Sequence, residues 1–208
     1  MIILSVDIHT EKKLGLLGSV IALIGGVINR AFLHVPYLWH SISPVMLIAC
    51  ILLLISLRGI SSKTSDSRPF NNYLISSATW VFFNIAATAV FLAGISRITN
   101  ELNLGTDSVN ILYIHDPIAR IFIISAIFLV LVGLSISFYF EKKTWRTMYE
   151  ITGIKEFDNA ATWFKWGTLT TIVFIGFLFV FIARVFVIIA FNKMSGNSEL
   201  RENPTSEI

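Results

Sequence analysis

Five long apolar runs lie along the chain, at 14–33, 39–57, 73–95, 118–140 and 160–192, each bounded by charge or polar residues. Lys12 and Lys13 precede the first, and Arg58-Gly59 follow the second. Arg97 closes the third, Glu141-Lys142-Lys143 close the fourth, and Lys193 follows the fifth. A helix needs roughly 20 mostly apolar residues to cross about 30 Å of hydrocarbon, and each run supplies about that. Membrane strands would instead give segments of about 10 residues with alternating polarity. Backbone amides in hydrocarbon must be paired within the segment, so each run closes its own hydrogen bonds as a helix. The pattern predicts an all-α, polytopic transmembrane bundle of about five spans over 14–193, after a short N-terminal segment, 1–13.

The polar stretches between the runs set the expected connections. Residues 58–72, RGISSKTSDSRPFNN, are serine-rich with one proline and read as a flexible connector. Residues 97–117 form a longer loop on the other side. The end of the chain, 194–208, is polar and free of aromatics and is expected to be disordered. The 140–159 stretch is different in kind. Trp145, Met148, Tyr149 and Thr152 fall on one helical face, with Lys142, Lys143, Arg146 and Glu150 over much of the rest. Such a segment suits the headgroup region, aromatic face down, with Lys142, Lys143 and Arg146 towards anionic lipid. The plain alternative is a helical extension of the fourth span.

Charge then orients the bundle. With five spans, one side collects Lys12, Lys13, Arg58, Lys63, Arg68, Lys142, Lys143, Arg146, Lys155 and Lys165, and the other only Arg30, Arg97, Arg120, Lys193 and Arg201. Cytoplasmic loops carry the excess of Lys and Arg, which predicts a cell-membrane protein with a cytoplasmic N-terminus and an outside C-terminus. The composition agrees with lipid as solvent: 55% of residues are hydrophobic and 14% charged, against about 25% charged in soluble domains. The net charge of +3 sits at helix ends and carries no nucleic-acid footprint. A single cysteine, Cys50, leaves no intrachain disulfide.

Candidate chemistry is sparse. Gly18, Ala22 and Gly26 recur every four residues in the first run, and Ala86, Ala89, Ala93 and Ser96 form a similar stripe in the third. Small residues let membrane helices approach closely, which serves intrachain packing or self-association. Arg184 lies within the fifth run, and an intramembrane charge is by default a functional hypothesis. The runs contain no Asp or Glu to pair with it, so its long stem is expected to snorkel to the outer interface or to meet a carbonyl. Asn84, midway along the third run, is expected to hydrogen-bond within the bundle. His34, His40 and His115, with Asp116 beside the last, fall on the predicted outer side, but their spacing matches no established ligand pattern. Neither a phosphate-binding loop, a dinucleotide fingerprint, nor a nucleophile elbow occurs. No catalytic residue, metal or cofactor is expected, and the reading is non-enzymatic.

Three segments carry a family likeness: LGLLGSVIALIGG, LISLRGISSKTSDSRPFNNYLISS, and MYEITGIKEFDNAATWFKWGTLTTIVFIGFLFVFIARVFVIIAF. In order, from Lys12 to Lys193, they resemble the uncharacterised, mainly archaeal integral-membrane family called domain of unknown function 996. The distinctive parts are Leu57-Arg58-Gly59-Ile60-Ser61 and the Gly153-Ile154 to Phe157 opening into the last run. The resemblance implies a small multi-span bundle and supplies no catalytic residues. Arg184 departs from the family pattern, where tryptophan is usual, so any role for it would be this chain's own.

Two functions from different classes remain. The first is an accessory, assembly or scaffold subunit acting through helix association, anionic lipids, a membrane-protein partner or a second copy. The second is a small transporter or channel subunit, which requires Asn84 and Arg184 to face one hydrated path.

Overall fold

The computed structural model describes residues 5–31, 44–102, 116–170, 175–194 and 197–199. They form six helices: α1 (His9–Ala31), α2 (Pro44–Thr64), α3 (Arg68–Leu102), α4 (Pro117–Thr152), α5 (Lys155–Thr170) and α6 (Gly176–Lys193). Two short strands, β1 (Ser5–Asp7) and β2 (Asn197–Glu199), flank them. Among the described residues, α2, α3 up to Arg97, α4 and α6 are long and apolar enough to cross a membrane.

Local chemistry sets the helix ends. Asp116 caps α4 by accepting from the Ile118 amide at 2.9 Å, with Pro117 in the first turn, where its missing N–H costs nothing. Gly153, at φ 69°, ends α4 in the left-handed conformation and donates its N–H to the Tyr149 carbonyl at 2.8 Å, a terminus glycine tolerates best. Between these caps α4 runs unbroken for 36 residues, about 54 Å. The amphipathic 140–152 segment is therefore the end of the fourth helix, projecting beyond the roughly 30 Å hydrocarbon layer. The 58–72 connector is also more ordered than expected. α2 continues to Thr64 and α3 begins at Arg68, with Ser65 at φ 55° and the Asp66 carboxylate accepting from the Arg68 amide at 3.0 Å.

α3 and α4 pair antiparallel along their whole length. Arg68 meets Glu150 at one end (3.2 Å) and Arg97 meets Asp116 at the other (3.1 Å). Between them Ser76 bonds Ser137 at 2.8 Å. Gly133 lies under the Phe83 ring, where any Cβ would collide with it. α1 and α2 form a second antiparallel pair, from Glu11–Lys63 (2.7 Å) to Gly25 against Val45.

The expected fifth span, 160–192, is not one helix. α5 and α6 form an antiparallel hairpin: Phe157 faces Phe191 with ring centres 5.4 Å apart, and Trp163 faces Phe179 at 5.5 Å. At Gly167 a Cβ would lie 2.7 Å from Val180 Cγ2 and 3.3 Å from the Gly176 carbonyl. The glycine pair thus lets the two backbones approach. The run holds more apolar residues than one crossing needs, and it uses the surplus to fold back along α4, where Phe138 touches Phe164.

That reversal also corrects the placement of the chain ends. β1 pairs antiparallel with β2, Ser5 opposite Glu199 and Asp7 opposite Asn197, and Gly15 seats the Phe191 ring. The N- and C-terminal segments therefore lie at the same end of the bundle, and 197–199, expected to be disordered, form a strand.

Exposed large apolar side chains mark the part of the surface suited to lipid. They run from Leu17 to Ile24, Val45 to Ile55, Leu74 to Leu92, Ile118 to Tyr139 and Trp166 to Ile189. Segments 8–16, 56–73, 140–165 and 190–194 carry none. These segments meet in a head at one end of the bundle. Its surface ion pairs are Glu11–Lys63, Asp66–Arg68–Glu150, Arg146–Asp158 and Glu156–Lys193.

At the head's centre Trp145 is fully buried. It stacks on Phe157 (5.8 Å, planes 2° apart) and meets Tyr73 and Phe191 edge-on, each at 6.1 Å. Met148 is equally buried. The aromatic face expected to rest on lipid is thus covered by α5 and α6. Burial of large aromatic rings dominates core energetics.

Candidate functional site

Where the head meets the lipid-facing part, α4 presents Glu141 and α6 presents Arg184. Arg184 Nη2 donates to Glu141 Oε1 at 2.5 Å, and the two side chains are 12% and 6% exposed. The Arg184 guanidinium also lies over the Phe164 ring at 5.3 Å, an arrangement that attracts a cation to the ring face. This corrects the expectation that Arg184 snorkels outward without an acidic partner. Glu141 is the first residue beyond the fourth apolar run, and the unbroken α4 carries it into reach of α6. One signal was available: Glu141 is an acid directly joined to a transmembrane run.

The contact is through one nitrogen and one oxygen. The Trp145 indole, one helical turn beyond Glu141, lies beside the carboxylate, and the Tyr73 hydroxyl lies beside the Arg184 guanidinium. Arginine and carboxylate can pair as a two-pronged fork; here one prong is made, and Trp145 and Tyr73 flank the remaining polar atoms.

Both side chains line a half-open cavity of about 290 Å³ between α1, α2, α3, α4 and α6. It rises from Glu141 and Arg184 past Tyr73, Ser76 and Ser137 to Trp80 and Asn84, with Phe177, Val180 and Phe181 on the α6 wall. Ser76 bridges to Ser137 across α3 and α4, donating to its carbonyl at 3.0 Å. Cys50 reaches in from α2, its thiol 3.2 Å from the Ser77 hydroxyl and 3.8 Å from that of Tyr73. The opening exists because α3 packs far more closely on α4 than on α2.

The other candidates distribute as follows. Asn84 lines the cavity and donates one amide N–H to its own helix, the Trp80 carbonyl at 2.8 Å. Gly18 is consumed by α1–α2 packing: a Cβ there would sit 3.0 Å from Leu53 and 3.1 Å from the Ala49 carbonyl. Ala22 is buried at the cavity wall. Gly26 lies in α1, but its surroundings fall outside the described residues. Ala89 and Ala93 face outward and Ala86 is half-buried; the close α3–α4 approach uses Phe83–Gly133 and Gly94–Phe122 instead.

Of the three headgroup candidates, Arg146 pairs with Asp158, and the Lys143 ammonium lies over Tyr139 at 4.7 Å. Lys142 is half-buried. His34, His40 and His115 lie outside the described residues, and among the described residues no cluster of metal-ligating side chains occurs.

Residues 45–185 match the family described as "Protein of unknown function (DUF996)". Over 191 residues the chain is 22% identical to uncharacterized protein MJ1644 of Methanocaldococcus jannaschii, covering 90% of this chain and 93% of that one. No solved structure matches. The matched region holds α3 and α4 with all but one residue of α2, and reaches Arg184 on α6, so it contains both members of the buried ion pair. The chain belongs to the DUF996 family of proteins of unknown function.

Proposed function

We propose that this chain is a non-enzymatic, multi-pass cell-membrane protein that binds and passes a small polar solute, as a transporter or channel subunit. The observation that carries the reading is that Asn84 and Arg184, a hundred residues apart in sequence, line one cavity. An intramembrane ion pair beside a cavity is where solute and ion paths are expected, and ligand sites favour spaces between helices of a bundle.

In this reading α1 to α4 each cross the bilayer. The α5–α6 hairpin enters from the head side and returns to it. Lys193 then joins the ten cations already assigned to that side, opposite Arg30, Arg97 and Arg120, so the head and both chain ends are cytoplasmic.

Cys50, the chain's single cysteine, tests the reading directly. Its thiol should react with a small water-soluble methanethiosulfonate at least tenfold faster than cysteines placed at lipid-facing Ile85 or Phe128 in a Cys50→Ser background. Equal rates would mean the cavity is not hydrated and the solute path does not exist.

The second reading is an accessory or scaffold subunit acting on a membrane-protein partner, a second copy or anionic lipid. It draws on outward-facing Ala89 and Ala93 and on Lys143 beside half-exposed Tyr139 at the head boundary. Mass spectrometry of material purified gently from the native membrane separates the two. A stoichiometric protein companion or bound anionic lipid without solute favours the second reading, and a chain that retains a small solute favours the first.

A further inference from the structure

Two lysines approach one another along the outer side of the α4–α5 seam, where the head gives way to the lipid-facing part. On α4, Tyr139, Lys143 and Arg146 follow at i, i+4 and i+7, and on α5, Asp158, Thr162 and Lys165 do the same, so each set shares a helix face. Arg146 pairs with Asp158, which joins the two faces into one surface and closes it on the head side. Tyr139, Lys143, Thr162, Lys165 and Trp166 are exposed there.

Helix polarity brings the two ammonium groups to one level. α4 and α5 are antiparallel, Trp145 against Phe157 and Phe138 against Phe164. Lys165 is therefore level with Ser137, six residues along α4 from Lys143, an offset of about 9 Å. Side chains tilt towards the N-terminus of their own helix. Lys143 thus leans away from the head and Lys165 leans towards it, which closes the offset. Each ammonium lies by an aromatic ring, Lys143 at 4.7 Å from the centre of Tyr139 and Lys165 at 6.0 Å from that of Trp166, where the ring face attracts a cation.

Asp158, the acid on this surface, is already held by Arg146, so the two lysines leave an excess of positive charge. On their lipid-facing side Ile136 and Leu169 are exposed. The order along the surface is an ion pair, two cations, two aromatic rings and then aliphatic side chains. A molecule that matches it carries negative charge at one end and hydrocarbon at the other. A soluble acidic peptide would satisfy the lysines and leave the aliphatic part bare.

We propose, resting on the lipid form of the second reading above, that Lys143 and Lys165 clamp the phosphate of one anionic phospholipid at the α4–α5 seam. The phosphate sits between the two ammoniums, Tyr139 and Trp166 flank the glycerol region, and an acyl chain runs over Ile136 and Leu169. Cations beside the bilayer attract anionic headgroups, and interfacial aromatic rings sit at the same depth. Arg146, a headgroup candidate from the sequence, is committed to Asp158, and Lys165 of the next helix takes its place.

The test places the full chain in phosphatidylcholine bilayers with the same minor fraction of either phosphatidylglycerol or phosphatidylcholine brominated on its acyl chains. Bromine quenches tryptophan fluorescence on contact, and the Trp166 signal is the difference between the parent and Trp166→Phe. Brominated phosphatidylglycerol should quench that signal at least twofold more than brominated phosphatidylcholine. In a Lys143→Gln/Lys165→Gln variant the two should quench equally. The parent comparison stands even if the variant fails to fold. Equal quenching in the parent would overturn the proposal, as would an excess that survives in the double variant. An acidic protein that binds this face while the two lipids quench alike would assign it to a protein partner and overturn the clamp.

Mass spectrometry of parent and double variant, purified gently from the membrane, separates the site from the reading it rests on. Anionic lipid retained equally by both keeps the lipid reading and rejects this site. No anionic lipid on either, with equal quenching, rejects the lipid reading as well.

Discussion

Glu141 and Arg184 show how much a single pair matters when both side chains are buried. Removing one partner leaves a buried charge alone, a loss of about 3–5 kcal/mol, whereas replacing both with apolar residues is often neutral or stabilising. Arg184→Leu and Glu141→Leu should each lower the thermal midpoint in detergent sharply, and the double variant should recover most of the loss. A double variant as unstable as the singles combined would show that the two do not act as a pair.

A second residue-scale prediction belongs to the head. The Arg68 side chain, bonded to Asp66, holds the Asp66 carboxyl below its usual range, and the Arg68 backbone N–H bond adds to this. A carboxyl whose folded pKa lies below its unfolded value contributes stability above the unfolded value. That contribution is lost as pH falls through the folded one. Asp66→Asn should therefore flatten the acid-side fall in melting temperature; an unchanged acid limb would assign the fall to other carboxylates. Arg184 is visible in the sequence as an anomaly, whereas Glu141 falls just past the hydropathy drop at Phe140, although α4 continues to Thr152.

Among the elements, the α5–α6 hairpin and the end of α4 depend on each other. Trp145 is covered by Phe157 of α5 and Phe191 of α6 together with Tyr73 of α3, and α5 and α6 can lie together because Gly167 meets Gly176 and Val180 closely. Trp145→Ala should cost about 3–5 kcal/mol, the usual range for a buried Trp or Phe truncated to Ala. Gly167→Leu should cost about 1–3 kcal/mol by overpacking and raise protease cleavage in α5. A Gly167→Leu protein as stable and resistant as the parent would argue against the close hairpin. The spacing of Trp145, Met148 and Tyr149 revealed an amphipathic helix, yet hydropathy does not distinguish a face that rests on lipid from one covered by another helix. The same ambiguity made 160–192 look like one crossing, since an apolar run can be spent on one span or on two helices packed together.

For the whole molecule, the consequence of the hairpin and the β1–β2 ribbon is that residues 5–7 and 197–199 lie side by side at one end of the bundle. Reporters fused at the N-terminus and after Glu199 should both read as cytoplasmic, together with one inserted at Ser65. Reporters of opposite sense at the two ends would exclude the ribbon in the membrane. By itself the sequence determined that the chain is helical, lipid-embedded and rich in cations on one side, because hydrocarbon admits only self-satisfied backbone and charge stays at its borders. The family likeness was legible in the same runs. Only the tertiary structure decided that the last apolar run folds back, that the ends meet, and that Glu141 faces Arg184 in a cavity. Each of those depends on side chains far apart in sequence coming into contact, and local hydropathy contains no information about which distant helix a given face will meet.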